Sequence, residues 1–312
     1  MVTKRIFYLF LVIITFSAAI SLSKCGKWGW EDVTSDHEPV LNVFALISLD
    51  TTIQSFVRVH NTLGLEEPEK VFVRKDTIWY GEGPYDYWLR DLWESKYLVK
   101  DAVVIISDGN NDYTFSYINL DYDNWEYYDY YRGEESIYLD TLNKFHPQPN
   151  TTYFLDVSTP DGKQLTGEVT TPPIPVIYSK QIPDTVYIRK TFTVTWKPLE
   201  TVHSLIQTSS ILYWICGAEQ RCVREPGDSS WTSSIVDCHY YENESSEPDS
   251  FMIELHTLDD NYYEYFIKHA WEDEFVSFLL GGGDAGLTIG VEGGYGVFGA
   301  IAADRVYRVV VP

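Results

Sequence analysis

The sequence predicts an all-β protein with two β-sandwich domains and one short helix in the second domain. Three observations lead to this prediction. From Val40 onward, apolar residues alternate with polar ones or form short runs, and turn residues interrupt them about every ten residues. A single stretch has the spacing of an amphipathic helix. Four prolines between residues 170 and 184 divide the strand patterns into two sets.

The first set of strands lies in a predicted domain spanning residues 39–172. Its apolar patterns are VLNVFALISL, SFVRVHNTL, AVVIISDGN, YTFSYINL and TTYFLDVSTPDGKQLTGEV. Turns are predicted at Asp108-Gly109 and Asp161-Gly162, because Asp-Gly pairs readily adopt the positive φ angles of tight hairpins. Short alternating strands joined by such turns are typical of a sandwich.

The proline-rich segment TTPPIPVIYSKQIPD marks the predicted boundary, since proline lacks the N–H that a central strand must donate. The second predicted domain spans residues 173–312. Its FTVTW alternation followed by Pro198 resembles the second strand of a fibronectin type III or immunoglobulin-like domain. A glycine-rich stretch of tight turns leads to a final strand over residues 305–311.

One helix is predicted after Leu258. Asp259, Asp260 and Asn261 are candidate N-terminal caps, and Gly281 to Gly283 form the predicted stop. Between them, apolar residues recur at helical spacing; they are Tyr262, Tyr263, Phe266, Ile267, Ala270 and Trp271. We expect this helix to lie against the second sandwich.

The N-terminus has the three parts of an export signal. Basic Lys4 and Arg5 precede an apolar run, and small residues follow. Residues 1–24 are therefore predicted to be a signal peptide, followed by a tether over residues 25–38. Two processing routes are open. Ordinary cleavage fits the small residues Ser21 and Ser23, whereas the sequence LSKC resembles a lipobox that would make Cys25 a lipidation site.

The composition excludes some partners. The chain has 46 acidic and 23 basic residues, a formal net charge of -23, so its body is a poor partner for nucleic acid or anionic lipid. Aromatic residues make up 16% of the chain, with 24 Tyr and 10 Trp. This exceeds what burial alone requires, and it directs attention to where the aromatic residues cluster.

Two aromatic clusters form the predicted binding surface. The first, residues 78–97, is read as a long loop between strands, and the second, residues 119–136, as a long loop or hairpin. For the second cluster, the alternative is that its aromatic residues pack onto the sandwich while the acidic ones face water. The candidate ligand-binding residues are Trp79, Tyr85, Trp88, Trp93, Trp125, Tyr127, Tyr128 and Tyr130. Trp and Tyr offer large contact areas at low entropic cost, which suits glycans or protein partners.

Cysteine positions give a second expectation. In an exported chain, Cys216 and Cys222 are positioned to form a disulfide that closes a hairpin. The spacing of Cys216, Cys222 and Cys238 matches no paired metal motif, so no metal and no cofactor are predicted. If Cys25 is acylated, one of the other three thiols is left over.

Four stretches together resemble a Gram-negative bacterial outer-membrane lipoprotein family that carries only a domain-of-unknown-function label. They are EPVLNVFALISLD, VKDAVVIISDG, PNTTYFLDVSTPDGKQLTGEVTTP and EGGYGVFGAIAADRV, in the family's order. The resemblance implies an exported protein, lipid-anchored through Cys25 at the outer membrane or cell surface. It also implies a TonB-dependent transporter as a candidate partner, and no established enzyme activity.

Two functions are therefore open from the sequence. The first is a non-enzymatic binding or accessory lipoprotein for a glycan, a peptide or a transporter partner. The second is a secreted carbohydrate-active hydrolase that uses Asp and Glu carboxylates, although no pattern selects a catalytic pair. The chain contains neither a nucleophile-elbow motif nor a phosphate loop, so no catalytic residue is predicted.

Overall fold

Strands dominate the computed structural model, as the sequence predicts. The residues described by the structure are 38–63, 68, 70–79, 83, 86–120, 135–187, 190–210, 221–234, 249–268 and 288–311. The strands of the first half are β1 (Leu41–Ser48), β2 (Phe56–Asn61), β3 (Lys70–Trp79), β4 (Tyr87–Ser95), β5 (Val103–Ser107), β6 (Asp112–Leu120), β7 (Glu135–Leu139), β8 (Thr152–Ser158) and β9 (Gln164–Thr170). The all-β class is confirmed.

The second half continues in the same way after the proline-rich segment. Its strands are β10 (Thr185–Tyr187), β11 (Thr191–Thr195), β12 (His203–Ser210), β13 (Arg221–Arg224), β14 (Ser230–Ser234), β15 (Asp249–Leu258), β16 (Thr288–Ile289), β17 (Val291–Glu292) and β18 (Gly294–Val311). A short 3-10 turn, Ser179–Gln181, precedes β10. The predicted turns are confirmed, because Gly109 and Gly162 have φ angles of 83° and 88° between their strand pairs.

Most strands belong to one hydrogen-bonded sheet. Its order is β13-β12-β15-β18-β1-β2-β7-β6-β5-β8-β9-β17, with β10 and β16 also paired to β18. Two further two-stranded sheets, β11 with β14 and β3 with β4, stand apart from this path. The pairings of β18 with β1, β10 and β16 are parallel. Strands from both halves of the sequence thus belong to the same sheet.

Strand β18 is the element that joins the two halves. Its first part pairs with β1 from Leu41↔Gly294 to Ser48↔Ile301, and its second part pairs with β15 from Ile301 to Val310. The predicted final strand covered residues 305–311 alone. The longer strand includes Gly296, whose φ of 114° places a hypothetical Cβ 1.9 Å from the Val43 carbonyl oxygen. Glycine is required there by the close approach of β1.

The glycine-rich turns predicted before the last strand occur in the described part of that region. Gly290 and Gly293 have φ angles of 70° and 88° and separate β16, β17 and β18. Gly293 also lies against the backbone of Gln164, where an added Cβ would meet the carbonyl oxygen at 2.5 Å. These turns bring β17 onto β9 through the pair Val291↔Gly167.

Three groups of buried apolar side chains form the core. The first draws on β1, β2, β5 and β6 to β9, together with Phe298 and Ala300 from β18. The second draws on β10 to β12, β14 and β15, with Val306 and Val310 from β18, and centres on the fully buried Trp196. A smaller third group joins Leu46 and Ile301 to Leu205 and Leu258. Each end of β18 therefore contributes to a different core.

The predicted helix begins at the predicted cap. Asp259 accepts hydrogen bonds from the backbone N–H groups of Asn261 and Tyr262, and α1 (Asp260–Tyr262) continues into a π-helical turn, Tyr263–Lys268. Ile267 of that turn is buried in the third core group. The predicted continuation to Trp271 and the glycine stop lie outside the described residues.

The chain divides into two units by its backbone contacts. One comprises Met1–Glu38 with Gly64–Glu67, and only Glu38 of it is described. The other comprises Pro39–Leu63 and Pro68–Pro312 and contains all the strands given above. The predicted boundary near residue 172 stays a prediction, as do the signal peptide and the tether.

Candidate functional site

The candidate site is the hairpin of β3 and β4, here called the aromatic ribbon (Lys70–Trp79 with Tyr87–Ser95). Within the described part of the chain, these strands pair with each other and with no other strand. An isolated pair of strands has little core of its own, so its side chains stay available to solvent or to a partner. Near the tip, the Gly83 N–H donates to the Asp86 carboxylate at 2.8 Å.

The register of the ribbon decides which side chains share a face. Trp79 is opposite Tyr87, Thr77 opposite Leu89, Lys75 opposite Asp91, and Phe72 opposite Trp93; the register shifts between Phe72 and Arg74. Alternation alone would place Phe72 on the other face from Lys75. The extra residue of this β-bulge reverses the alternation, and Phe72 joins the face of Trp93.

This face carries an aromatic pair at each end. Trp79 and Tyr87 have ring centroids 5.1 Å apart, and Phe72 and Trp93 have centroids 5.6 Å apart in an edge-to-face arrangement. These four side chains and Leu89 are between 40% and 56% exposed. Large apolar side chains so exposed, and collected on one face, are typical of a binding surface.

An ion pair lies in the middle of the same face. The Lys75 ammonium is 3.3 Å from Asp91 Oδ1, and both side chains are exposed. An exposed pair of this kind contributes at most about 1 kcal/mol to stability, so its polar groups are free to exchange partners with a ligand. The ribbon contains four basic and three acidic residues, which gives a net charge of +1 within a strongly acidic chain.

The base of the ribbon is fixed to the first half of the main sheet. Just beyond β4, the Tyr97 carbonyl accepts a hydrogen bond from the Asn61 N–H at 2.7 Å, and the Val99 N–H donates to the Val59 carbonyl at 3.1 Å. His60 packs edge-to-face on Tyr97. Burial, and then the charge of Arg58, lower the pKa of His60 to about 4. His60 is therefore neutral at pH 7 and packs as an apolar side chain.

Several predicted ligand-binding residues lie on the ribbon. Trp79 and Trp93 are on its exposed face, at opposite ends. Trp88 lies in β4, between Tyr87 and Leu89 of that face, and its backbone is paired with that of Ile78. Tyr85 lies outside the described residues. The prediction of a long loop over residues 78–97 is wrong. This segment contains the end of β3 and all of β4 (Tyr87–Ser95), the second strand of the hairpin.

The remaining predicted residues fall elsewhere. Cys25, Cys216 and residues 121–134 of the second aromatic cluster, with Trp125, Tyr127, Tyr128 and Tyr130, lie outside the described residues. Cys222 is in β13, half-buried, with its sulfur 3.6 Å from the Val223 carbonyl oxygen. The predicted Cys216–Cys222 disulfide and the predicted lipidation stay predictions.

Sequence reasoning missed Phe72, Lys75, Thr77, Leu89 and Asp91. A weak signal was present, since apolar Tyr87, Leu89 and Trp93 lie at even spacings, as on one face of a strand, but charged Asp91 interrupts them. The contribution of Phe72 had no such signal, because a bulge that reverses alternation is not visible in a single strand's pattern.

A second cluster of polar side chains is buried at the junction of the two halves. Arg305 bonds Asp50 through two nitrogens, and its Nη1 is 2.5 Å from Asp50 Oδ1. The Nε of Arg305 bonds Glu254, which also accepts from Gln207 Nε2 at 2.7 Å. Burial raises the pKa of Asp50, but bonds from Arg305 and Thr52 outweigh it and lower that pKa to about 2. Each charged group in this cluster is paired with one of opposite sign, so we interpret the cluster as a structural contact between the two halves.

Comparisons with known proteins give no family and no relative. No protein-family model matches the chain, and no curated protein matches it significantly. Over the described ranges, no helix is long and apolar enough to cross a membrane. The same residues hold no group of three or more His, Cys, Asp or Glu side chains placed to bind a metal ion.

Proposed function

We propose that the protein is a non-enzymatic binding or accessory module that uses the exposed face of the aromatic ribbon to hold a partner. The observation that carries this proposal is the pair of exposed aromatic contacts, Trp79 with Tyr87 and Phe72 with Trp93, on one face of a two-stranded sheet. Exposed Trp and Tyr are the residues that most often dominate binding energy when a partner covers them.

The location belongs to the same proposal. The export signal and the LSKC sequence support a lipoprotein that is anchored through Cys25, at the outer membrane or cell surface, with residues 25–38 as the tether. The partner classes open to such a module are a surface glycan, a peptide and a TonB-dependent transporter. We also propose that the two larger core groups correspond to two immunoglobulin or fibronectin type III-like sandwiches that share β18.

The test is binding of the full chain, purified from bacterial membranes in detergent, to arrays of polysaccharides and extended peptides. The wild-type protein is expected to bind at least one class of probe on these arrays. Trp79→Ala and Trp93→Ala are each expected to weaken retention by at least about tenfold, which is about 1.4 kcal/mol and within the range of central aromatic contacts. Mass spectrometry of the N-terminus of the same preparation is expected to show acylated Cys25.

The matched control is Tyr307→Ala, which removes an exposed aromatic side chain of β18 that lies off the ribbon. This variant is expected to bind as wild type does. Equal binding by wild type, Trp79→Ala and Trp93→Ala would show that the ribbon is not the binding surface. A water-soluble protein with an unmodified thiol at Cys25 would refute the anchor.

A further inference from the structure

We propose that the ligand of the aromatic ribbon is an uncharged, extended polysaccharide that runs along the strands and contacts both aromatic pairs at once. This inference rests on the proposed function, because it names the ligand class of the same surface. The shape of the face, the chemistry of its central side chains and its charge each support it.

The shape favours an extended ligand. Phe72 and Trp79 are seven positions apart on β3, and at about 3.3 Å per residue the two aromatic pairs are separated by roughly 20 Å. A single small molecule does not reach from one pair to the other, whereas a polymer chain does. The pairs are held by a hydrogen-bonded register, so little ordering is needed when such a chain binds.

The chemistry between the pairs favours a sugar. Sugar rings present C–H groups on their faces and hydroxyl groups around their edges. The flat faces of Trp and Tyr suit the former. For the latter, the face offers the Lys75 ammonium as a donor, the Asp91 carboxylate as an acceptor and the Thr77 hydroxyl as both. A sugar hydroxyl donates and accepts, so it matches this mixed set.

The charge argues against polyanions and against bilayers. Single-stranded nucleic acid requires a clearly positive groove beside its aromatic platforms, whereas the ribbon has a net charge of +1 and the chain -23. Insertion of this face into lipid would bury the Lys75–Asp91 pair in hydrocarbon, which is costly. Asp86 adds a further carboxylate near the tip. An uncharged ligand meets neither penalty.

The experiment measures affinity of the full chain in detergent for neutral glucans, mannans, xylans and galactans, and for oligosaccharides of increasing length from any polymer that binds. Binding of a neutral polymer is expected, with affinity rising at least about tenfold once the oligosaccharide reaches both aromatic pairs. For wild type, the dissociation constant is expected to change less than about twofold between 50 mM and 500 mM salt, because no counterions are released.

Variants separate the two ends of the face. Trp79→Ala and Trp93→Ala are each expected to abolish the gain from length while leaving the weak binding of short oligosaccharides. Tyr307→Ala is the control, and circular dichroism of each variant is expected to match wild type. Affinity that does not depend on oligosaccharide length would overturn the proposal that one chain spans both pairs.

Other probes distinguish failure of this inference from failure of the proposed function. Binding only to carboxylated or sulfated polymers, to phosphatidylethanolamine–phosphatidylglycerol vesicles or to peptides, with loss in the two Trp variants, would overturn the ligand class and leave the ribbon as the binding surface. Binding that is the same in wild type and in both Trp variants would overturn both.

Discussion

At the residue scale, the buried Asp259 side chain connects a helix to a strand through three hydrogen bonds. Its Oδ1 accepts from the Ala300 N–H at 2.7 Å and from the Tyr262 N–H at 3.0 Å, and its Oδ2 accepts from the Asn261 N–H at 2.9 Å. The side chain therefore caps α1 and fixes it to β18. Burial raises the pKa of Asp259 to about 6, even though the three backbone bonds favour the ionised form.

We expect Asp259 to make the protein less stable as the pH rises from about 4 to about 6. Over this interval the folded state still holds the proton that the unfolded state, with an ordinary pKa near 3.8, has released. The contribution is complete below pH 3.8 and lost above pH 6, and it amounts to about 3 kcal/mol. The measurement is the free energy of unfolding by guanidinium at several pH values.

Asp259→Asn removes this titration and keeps an oxygen that accepts from Ala300 and Tyr262. The wild-type curve is expected to fall relative to the variant's between pH 4 and 6. Asp156→Asn, at an exposed position of β8, is the control and should follow wild type. Parallel curves for wild type and Asp259→Asn would contradict this account.

At the element scale, Gly296 permits the parallel pairing of β18 with β1. A Cβ at this position would lie 1.9 Å from the Val43 carbonyl oxygen, and the φ angle of 114° is one that other residues rarely adopt. Gly109 also has a positive φ, 83°, yet an added Cβ there meets no atom within 4 Å. Substitution of Gly109 therefore tests the cost of a positive φ alone, whereas substitution of Gly296 tests that cost together with a steric clash against β1.

Gly109→Ala is expected to cost about 1 kcal/mol, which is the cost of a positive φ for alanine. Gly296→Ala is expected to cost more than about 3 kcal/mol, because β1 and β18 must move apart as well. Thermal unfolding of both variants checks this difference. Similar melting temperatures for the two variants would show that β18 and β1 approach less closely than described.

The elements also show what a pattern in the sequence can predict. Strands such as β1, β5, β8 and β9 were found because period two and Asp-Gly turns are local properties. The first part of β18 was missed because glycine disfavours strands unless another backbone approaches closely. Half of the ribbon was predicted as a loop because the apolar residues of residues 87–95 occupy both odd and even positions, so no clear alternation marks the strand.

At the scale of the whole molecule, the Asp50–Arg305–Glu254 cluster joins the end of β1 to β15 and β18. Asp50 is fully buried at its side chain, while Glu254 and Arg305 are 8% and 15% exposed. The hydrogen bonds that Arg305 donates to Asp50 raise the pKa of Arg305, and Glu254 adds to this against the effect of burial. Removing the cation would leave both buried carboxylates without the guanidinium that they bond.

Arg305→Met is therefore expected to cost about 3–5 kcal/mol at pH 7, the usual penalty for an uncompensated buried charge. The penalty should shrink at pH 5, because without the bonds from Arg305 burial raises the pKa of Asp50 and favours its protonation. Denaturant unfolding at the two pH values is the measurement. Arg308→Met is the control, since the Arg308 guanidinium bonds backbone carbonyl groups. Equal stability of Arg305→Met and wild type would refute the role of the cluster.

The wild-type cluster has the opposite pH dependence from Asp259. The pKa of Asp50 is lowered to about 2, so its contribution to stability is complete above the ordinary value of 3.8 and is lost as the pH falls toward 2. Between pH 4 and 6 the contribution of Asp50 is therefore constant. His60, whose pKa is lowered to about 4, adds a rise in stability over this interval. The difference between the wild-type and Asp259→Asn curves, in which the His60 contribution cancels, therefore reports on Asp259.

Local patterns in the amino-acid sequence were enough to predict the all-β class, about half of the strands, the Asp-Gly turns, the cap at Asp259 and two of the exposed tryptophans. Each of these depends on residues close together in the chain, whose preferences act locally. Three features had no local pattern: β18 pairs with strands of both halves, a bulge places Phe72 beside Trp93, and Asp50 meets Arg305 across 255 positions. Such contacts depend on which strands meet, and strand order is set by packing of the whole chain rather than by any local pattern.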